Sequence, residues 1–126
     1  MSIIRPFRGL RPRSEHAAKV AAPPYDVLSS DEAREMIKGN PLSFLRVNKP
    51  EVDFPPEHKA TDRDVYETGK KNLKRQADDG VMFQDPAPCL YLYRLTWQGR
   101  SQTGLMALTS CAEYNRNIIK KHEHTR

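Results

Sequence analysis

The chain has 126 residues and a mass of 14.5 kDa, with 37% hydrophobic and 29% charged residues and a mean hydropathy of −0.77. That is one domain's worth of material, and a chain near this length buries roughly two-thirds of its unfolded surface on folding. No apolar run reaches the ~18 residues of a membrane helix, and Met1–Pro6 lacks the apolar stretch of a secretory signal. Two cysteines, Cys89 and Cys111, are too few for a disulfide scaffold or a zinc site, so a reducing cytoplasm is the expected compartment.

The 21 Lys and Arg residues against 16 Asp and Glu give a net charge of +5 and a pI near 9.4. Such a balance invites a nucleic-acid reading, because clustered cations contact phosphates. The cations instead fall in three places: Arg5, Arg8, Arg11 and Arg13; Lys70, Lys71, Lys74 and Arg75; Arg116, Lys120 and Lys121. The middle group shares its stretch with Glu67, Asp78 and Asp79, the pattern of a solvated helix face.

In chain order, Ile3-Ile4 predicts a short extended entry and residues 9–12 a turn. Ser14 is placed to cap a short helix over 15–21, which Pro23-Pro24 stops. Ser29 followed by Glu32 has capping-box spacing, Gly39 suits a helix C-terminus, and Ala33, Met36 and Ile37 mark a buried stripe over 30–38. Residues 42–47 read as a strand anchored by Phe44 and Leu45, and 48–60 as a proline-bearing loop.

Thr61 is placed to cap the clearest helix, 62–78, with a stripe of Val65, Tyr66, Leu73 and Ala77 ended by Gly80. A short extended piece follows at 81–83. Segments 90–97 and 104–110 predict a hairpin across Gln98-Gly99-Arg100, apolar on both faces and so covered on both, with the long helix packed on its sheet. The fold class expected is α+β: a mixed sheet with an antiparallel hairpin and flanking helices.

Two constellations carry chemistry. In Ala22-Pro23-Pro24-Tyr25-Asp26-Val27, two prolines stiffen a turn that presents a phenol and a carboxylate. Asp26 is suited to a cation or a substrate hydroxyl, and equally to accepting backbone N–H groups before the next helix. His122-Glu123-His124-Thr125-Arg126 holds the parts of a general base and an anion clamp, and equally those of a solvated tail. The two histidines stand at i and i+2, not the i and i+4 of zinc peptidases, so no metal ligand set is expected. There is no glycine-rich phosphate loop. Cys89 and Cys111 read as buried, inert thiols at strand ends, and His16 and His58 have no recognisable partner in sequence.

Taken in order, Arg5-Pro6-Phe7-Arg8-Gly9, Pro23-Pro24-Tyr25-Asp26, Asn40-Pro41, Leu90-Tyr91-Leu92-Tyr93, Gly104-Leu105 and His122-Glu123-His124-Thr125 resemble the N-terminal part of a bacterial and archaeal family, the domain of unknown function DUF ten-fifteen. That family is described as similar to free serine kinases of the ParB/sulfiredoxin superfamily. Its members are longer and later carry an Asp-Gly-His-His-Arg segment at the phosphate-handling site, so the resemblance implies that residues 1–126 are one domain or an N-terminal fragment. Asn117 stands where the family pattern leads one to expect glycine.

The resemblance implies a partial ParB/sulfiredoxin-like domain, a nucleotide (ADP or ATP) with magnesium, a small hydroxyl substrate, and the remainder of a longer chain as partner. Residue chemistry then assigns Glu123 as base or hydroxyl orienter. His122, Thr125 and Arg126 fall to the phosphate, and Tyr25 with Asp26 to the substrate edge. A non-catalytic nucleic-acid- or nucleotide-binding ParB-like module is the alternative; no membrane partner is expected.

Overall fold

The computed structural model describes residues 2–120; His122, Glu123, Thr125 and Arg126 lie outside the described residues. Among the described residues the secondary structure is α+β, with five α-helices and three two-stranded sheets. These small sheets replace the expected larger mixed one. The chain divides into two units, residues 10–83 and residues 1–9 with 84–126.

In the 10–83 unit, Leu10–Pro12 is not a turn but a strand, β2, paired with β3, Met82–Gln84. Proline is tolerated at this strand end because its neighbour carries the next bond: the Arg13 N–H donates to the Val81 carbonyl at 3.0 Å. The guanidinium carbons of Arg11 and Arg13 lie 4.6 and 5.4 Å from the centre of the Phe83 ring, so two cations of the first basic group stack on an aromatic face. Helix α1, Ser14–Val20, begins one residue earlier than expected: Arg13 takes the cap position and Ser14 lies inside the first turn.

Helix α2, Ser30–Met36, carries the full capping box. Ser29 Oγ accepts from the Glu32 N–H, and Glu32 accepts from the Ser29 N–H at 2.8 Å. Ala33 and Ile37 are buried, but Met36 is exposed, one position off the stripe. Gly39 holds a left-handed φ of +70°, as a helix-ending turn requires.

Residues 42–47 are not a strand. Leu45–Asn48 forms a short helix, α3, followed by a 3-10 turn over Pro50–Asp53 that structures the expected loop. The apolar pair Phe44-Leu45 carries no helical or strand period of its own, and tertiary packing decides. Leu45 is fully buried with Ala33, Ile37 and Val52, whereas Phe44 packs on Val20, Val81 and Met82. Adjacent side chains on a strand would also diverge, but the i+3 and i+4 bonds to the Phe44 carbonyl fix a helical turn.

In helix α4, Arg63–Asp78, the N-cap position falls to Asp62 in place of Thr61, and its side chain makes no capping hydrogen bond. Its buried face is Val65, Gly69, Asn72 and Gln76, while Tyr66 and Ala77 are exposed. The stripe is polar because it meets irregular backbone: Asn72 donates to the Arg46 carbonyl at 2.7 Å and Gln76 to the Leu42 carbonyl at 2.9 Å. Within its unit α4 packs on α3 and the Pro50–Asp53 turn, whereas the hairpin on which packing was expected belongs to the other unit. The opposite face carries the Lys70–Glu67 and Lys74–Asp78 ion pairs of a solvated surface.

In the other unit, β1 (Ile4–Arg5) pairs antiparallel with β6 (Leu108–Thr109), and Phe7 bridges to Cys89. The hairpin pairs β4 (Tyr91–Trp97) with β5 (Arg100–Met106) in full register. Gln98 and Gly99 both have positive φ, at 47° and 75°, the conformation a tight two-residue hairpin turn needs. Both faces of the hairpin are exposed, contrary to expectation. Cys89 and Cys111 are exposed rather than buried, and Cys111 opens helix α5, Cys111–Asn115.

That helix ends in a Schellman motif: Ile118 N–H bonds to Glu113 O and Asn117 N–H to Tyr114 O, with Asn117 at φ 58°. Position 117 demands a left-handed residue, and asparagine meets it as the next most tolerant type after glycine.

Candidate functional site

The Pro23-Pro24 approach sets Tyr25–Val27 as a 3-10 turn, with Tyr25 59% exposed and Asp26 exposed beside it. The Tyr25 carbonyl accepts from Lys49 Nζ at 3.4 Å, which ties the turn to its own unit. Among the described residues Asp26 caps no helix and accepts no hydrogen bond, so its carboxylate stands open to solvent. His122 and Glu123, which the sequence assigns to the same reaction as this turn, lie outside the described residues.

His58 does acquire partners. Its Nε2 lies 3.0 Å from Asp64 and 3.7 Å from Asp62, and its ring stacks on Phe54 with centroids 4.5 Å apart. The histidine hydrogen bond holds the Asp64 carboxyl below the usual aspartate range. The possible ligand atoms of His58, Asp62 and Asp64 lie within 4.8 Å of one another, close enough for a shared cation. Sequence spacing of four and six residues hid this set because the 55–62 turns fold His58 back over the start of α4.

The structure brings together a second group that sequence reading left apart. A cavity of about 510 Å³ in the unit of residues 1–9 and 84–126 is lined by Arg5, Thr109, Ser110, Glu113 and Arg116, with Ile3 and Leu108 as apolar walls. Pairing of β1 with β6 sets Arg5 opposite Leu108, and α5 then returns Arg116 to the same hollow. Thus two guanidiniums from opposite ends of the chain share one cavity.

Neither Arg5 nor Arg116 has a carboxylate partner among the described residues. Glu113, 9% exposed, is engaged instead by the Ile3 N–H at 3.1 Å. Two unneutralised guanidiniums beside two hydroxyls suit an anion, since guanidinium donors bind carboxylate or phosphate in charge-assisted pairs. The volume falls within the usual range for a small-molecule pocket. The signal in sequence was Ile3-Ile4: an extended entry must pair somewhere, and pairing it with the last strand would have joined the first and third basic groups.

These features define an α+β protein with an open, arginine-lined cavity. A family described as protein of unknown function, DUF1015, matches residues 4–126, and the chain belongs to that family. No curated protein and no solved structure matches it. No helix among the described residues is long and apolar enough to cross a membrane.

Proposed function

We propose that the chain is the N-terminal portion of a nucleotide-dependent small-molecule kinase, similar to free serine kinases and built on a ParB/sulfiredoxin-like fold. The observation that carries this reading is the Arg5–Arg116 cavity, whose cations, without a carboxylate partner among the described residues, and hydroxyls fit a phosphate group. Phosphoryl transfer is catalysed mainly by positioning and by positive groups around the transferring phosphate, which this cavity is equipped to supply.

The nucleotide, ADP or ATP, would bring the phosphoryl group, and Arg5 and Arg116 would hold it. For magnesium the described lining offers one carboxylate, Glu113, already committed to a backbone N–H, which does not fit a metal site. Within the 10–83 unit, Tyr25 and Asp26, open on their stiffened turn, carry groups suited to a small hydroxyl substrate. Glu123 would accept or orient the hydroxyl proton, with His122, Thr125 and Arg126 at the phosphate.

Calorimetric titration with ADP and with ATP, each with magnesium, tests the reading. Saturable binding weakened about tenfold or more by Arg116→Ala is expected, the size of one lost charge-assisted hydrogen bond. In a protein that carries both this chain and an Asp-Gly-His-His-Arg segment, Glu123→Gln should lower phosphoserine formation by ~10²–10⁴-fold. Absence of nucleotide binding, together with salt-dependent binding of arbitrary DNA, would replace the kinase with a basic nucleic-acid module.

A further inference from the structure

The hairpin's register divides its side chains into two unlike faces. Tyr91, Tyr93, Leu95 and Trp97 lie opposite Met106, Gly104, Gln102 and Arg100 and share one face. On the other face Leu92 and Leu105 form one apolar pair, and the rest is closed by polar cross-strand bonds: Arg94 to Thr103 at 3.3 Å and Thr96 to Ser101 at 2.8 Å. The first face is therefore the apolar one. It stands open, with Trp97 72%, Leu95 57%, Tyr93 53% and Met106 49% exposed.

We propose that this face is a self-association surface, on which the hairpin of a second copy packs face to face about a two-fold axis. A two-stranded hairpin alone is marginal in water, so one with an open aromatic face gains most from cover. These four side chains expose about 500 Å² per copy, and two copies together reach the roughly 1,000 Å² that a specific interface needs.

The face is also complementary to itself. Its one charge, Arg100, sits at the turn end, while Tyr93 and Met106 lie toward the other end. An antiparallel two-fold packing sets each Arg100 against the partner's aromatic end and keeps the two cations apart. The hairpin itself contributes no carboxylate to this face, and the Asp85 carboxylate bonded to Tyr91 at its far end is buried, so little there invites a basic partner.

Trp97 is the chain's single tryptophan, so its emission reports on this face alone. Light scattering of the 126-residue chain over a concentration series should show a monomer–dimer transition. The Trp97 emission should shift to the blue over the same range. Leu95→Lys should weaken dimerisation at least tenfold, whereas Ser101→Lys, which adds the same charge to the polar face, should leave it within about twofold. Circular dichroism of each variant establishes that the fold is retained. A chain that stays monomeric with unshifted emission overturns the proposal. So does open-ended aggregation, or equal weakening by the two lysine variants.

Discussion

The α-carbon of Gly69 faces the carbonyl oxygen of Val47 so closely that a Cβ there would stand 2.9 Å from it. The same Cβ would lie 3.1 Å from Pro50 Cγ. Helix α4 and the 42–53 segment thus touch backbone to backbone, which only glycine allows.

Gly69→Ala weighs two effects against each other. Alanine gains about 1 kcal/mol of helix propensity over glycine, while overpacking against a fixed carbonyl costs about 1–3 kcal/mol. The clash should win, giving a net loss near 1 kcal/mol in urea unfolding. A stabilised variant would show that α4 can slide away from Val47.

Asn72→Ala should cost more. The amide donates to the Arg46 carbonyl at 2.7 Å and to Asp53 at 2.8 Å, and Asn72 itself is 6% exposed. Removing it leaves those acceptors short of a donor, at about 1–3 kcal/mol. An unchanged urea midpoint would mean that water replaces the amide without penalty.

Asp64 should titrate low because His58 hydrogen-bonds to its carboxylate. Its folded pKa is depressed, so the stabilisation is complete above the ordinary aspartate range and is lost as the pH falls through the folded value. Carboxyl NMR of Asp64 should show a return toward the ordinary range in His58→Ala. An identical titration in both proteins would assign the shift to the helix terminus instead.

Tyr91 should titrate high. Its hydroxyl donates to Asp85 at 2.6 Å and accepts from the Gly9 N–H at 2.7 Å, and the carboxylate disfavours a phenolate beside it. The folded pKa lies above the unfolded one, so this contribution is present below the ordinary tyrosine range and disappears as the pH rises through the folded value. Alkaline absorbance titration should show one tyrosine lagging the rest, and Tyr91→Phe should remove that lag. Simultaneous ionisation of every tyrosine would contradict the contact.

Elements with a local signature were legible in the sequence. The Ser29–Glu32 box, the Gly80 helix end and a hairpin turning near Gly99 each follow from residues within a few positions of one another, although the second strand is Arg100–Met106 and not the expected 104–110. What failed was set by distant packing. Phe44-Leu45 has no period to separate strand from helix, and Asn72 and Gln76, being polar, add nothing to an apolar stripe. Glutamine and asparagine are buried here to serve free carbonyls of the 42–48 segment, which no pattern within α4 announces. Of the candidate site, the Tyr25-Asp26 turn was visible in the Pro-Pro approach. The Arg5–Arg116 cavity was not, since its two cations are brought together only by pairing of the first and last strands.

Phe44 and Leu45 point into different apolar clusters across a single peptide bond. Neither cluster can loosen without tugging the backbone that anchors the other, so residues 10–83 should open as one cooperative unit. Amides around Ala33 and those around Met82, distant in sequence, should then share one hydrogen-exchange free energy, and a cavity cut at Leu45 should speed exchange in both places.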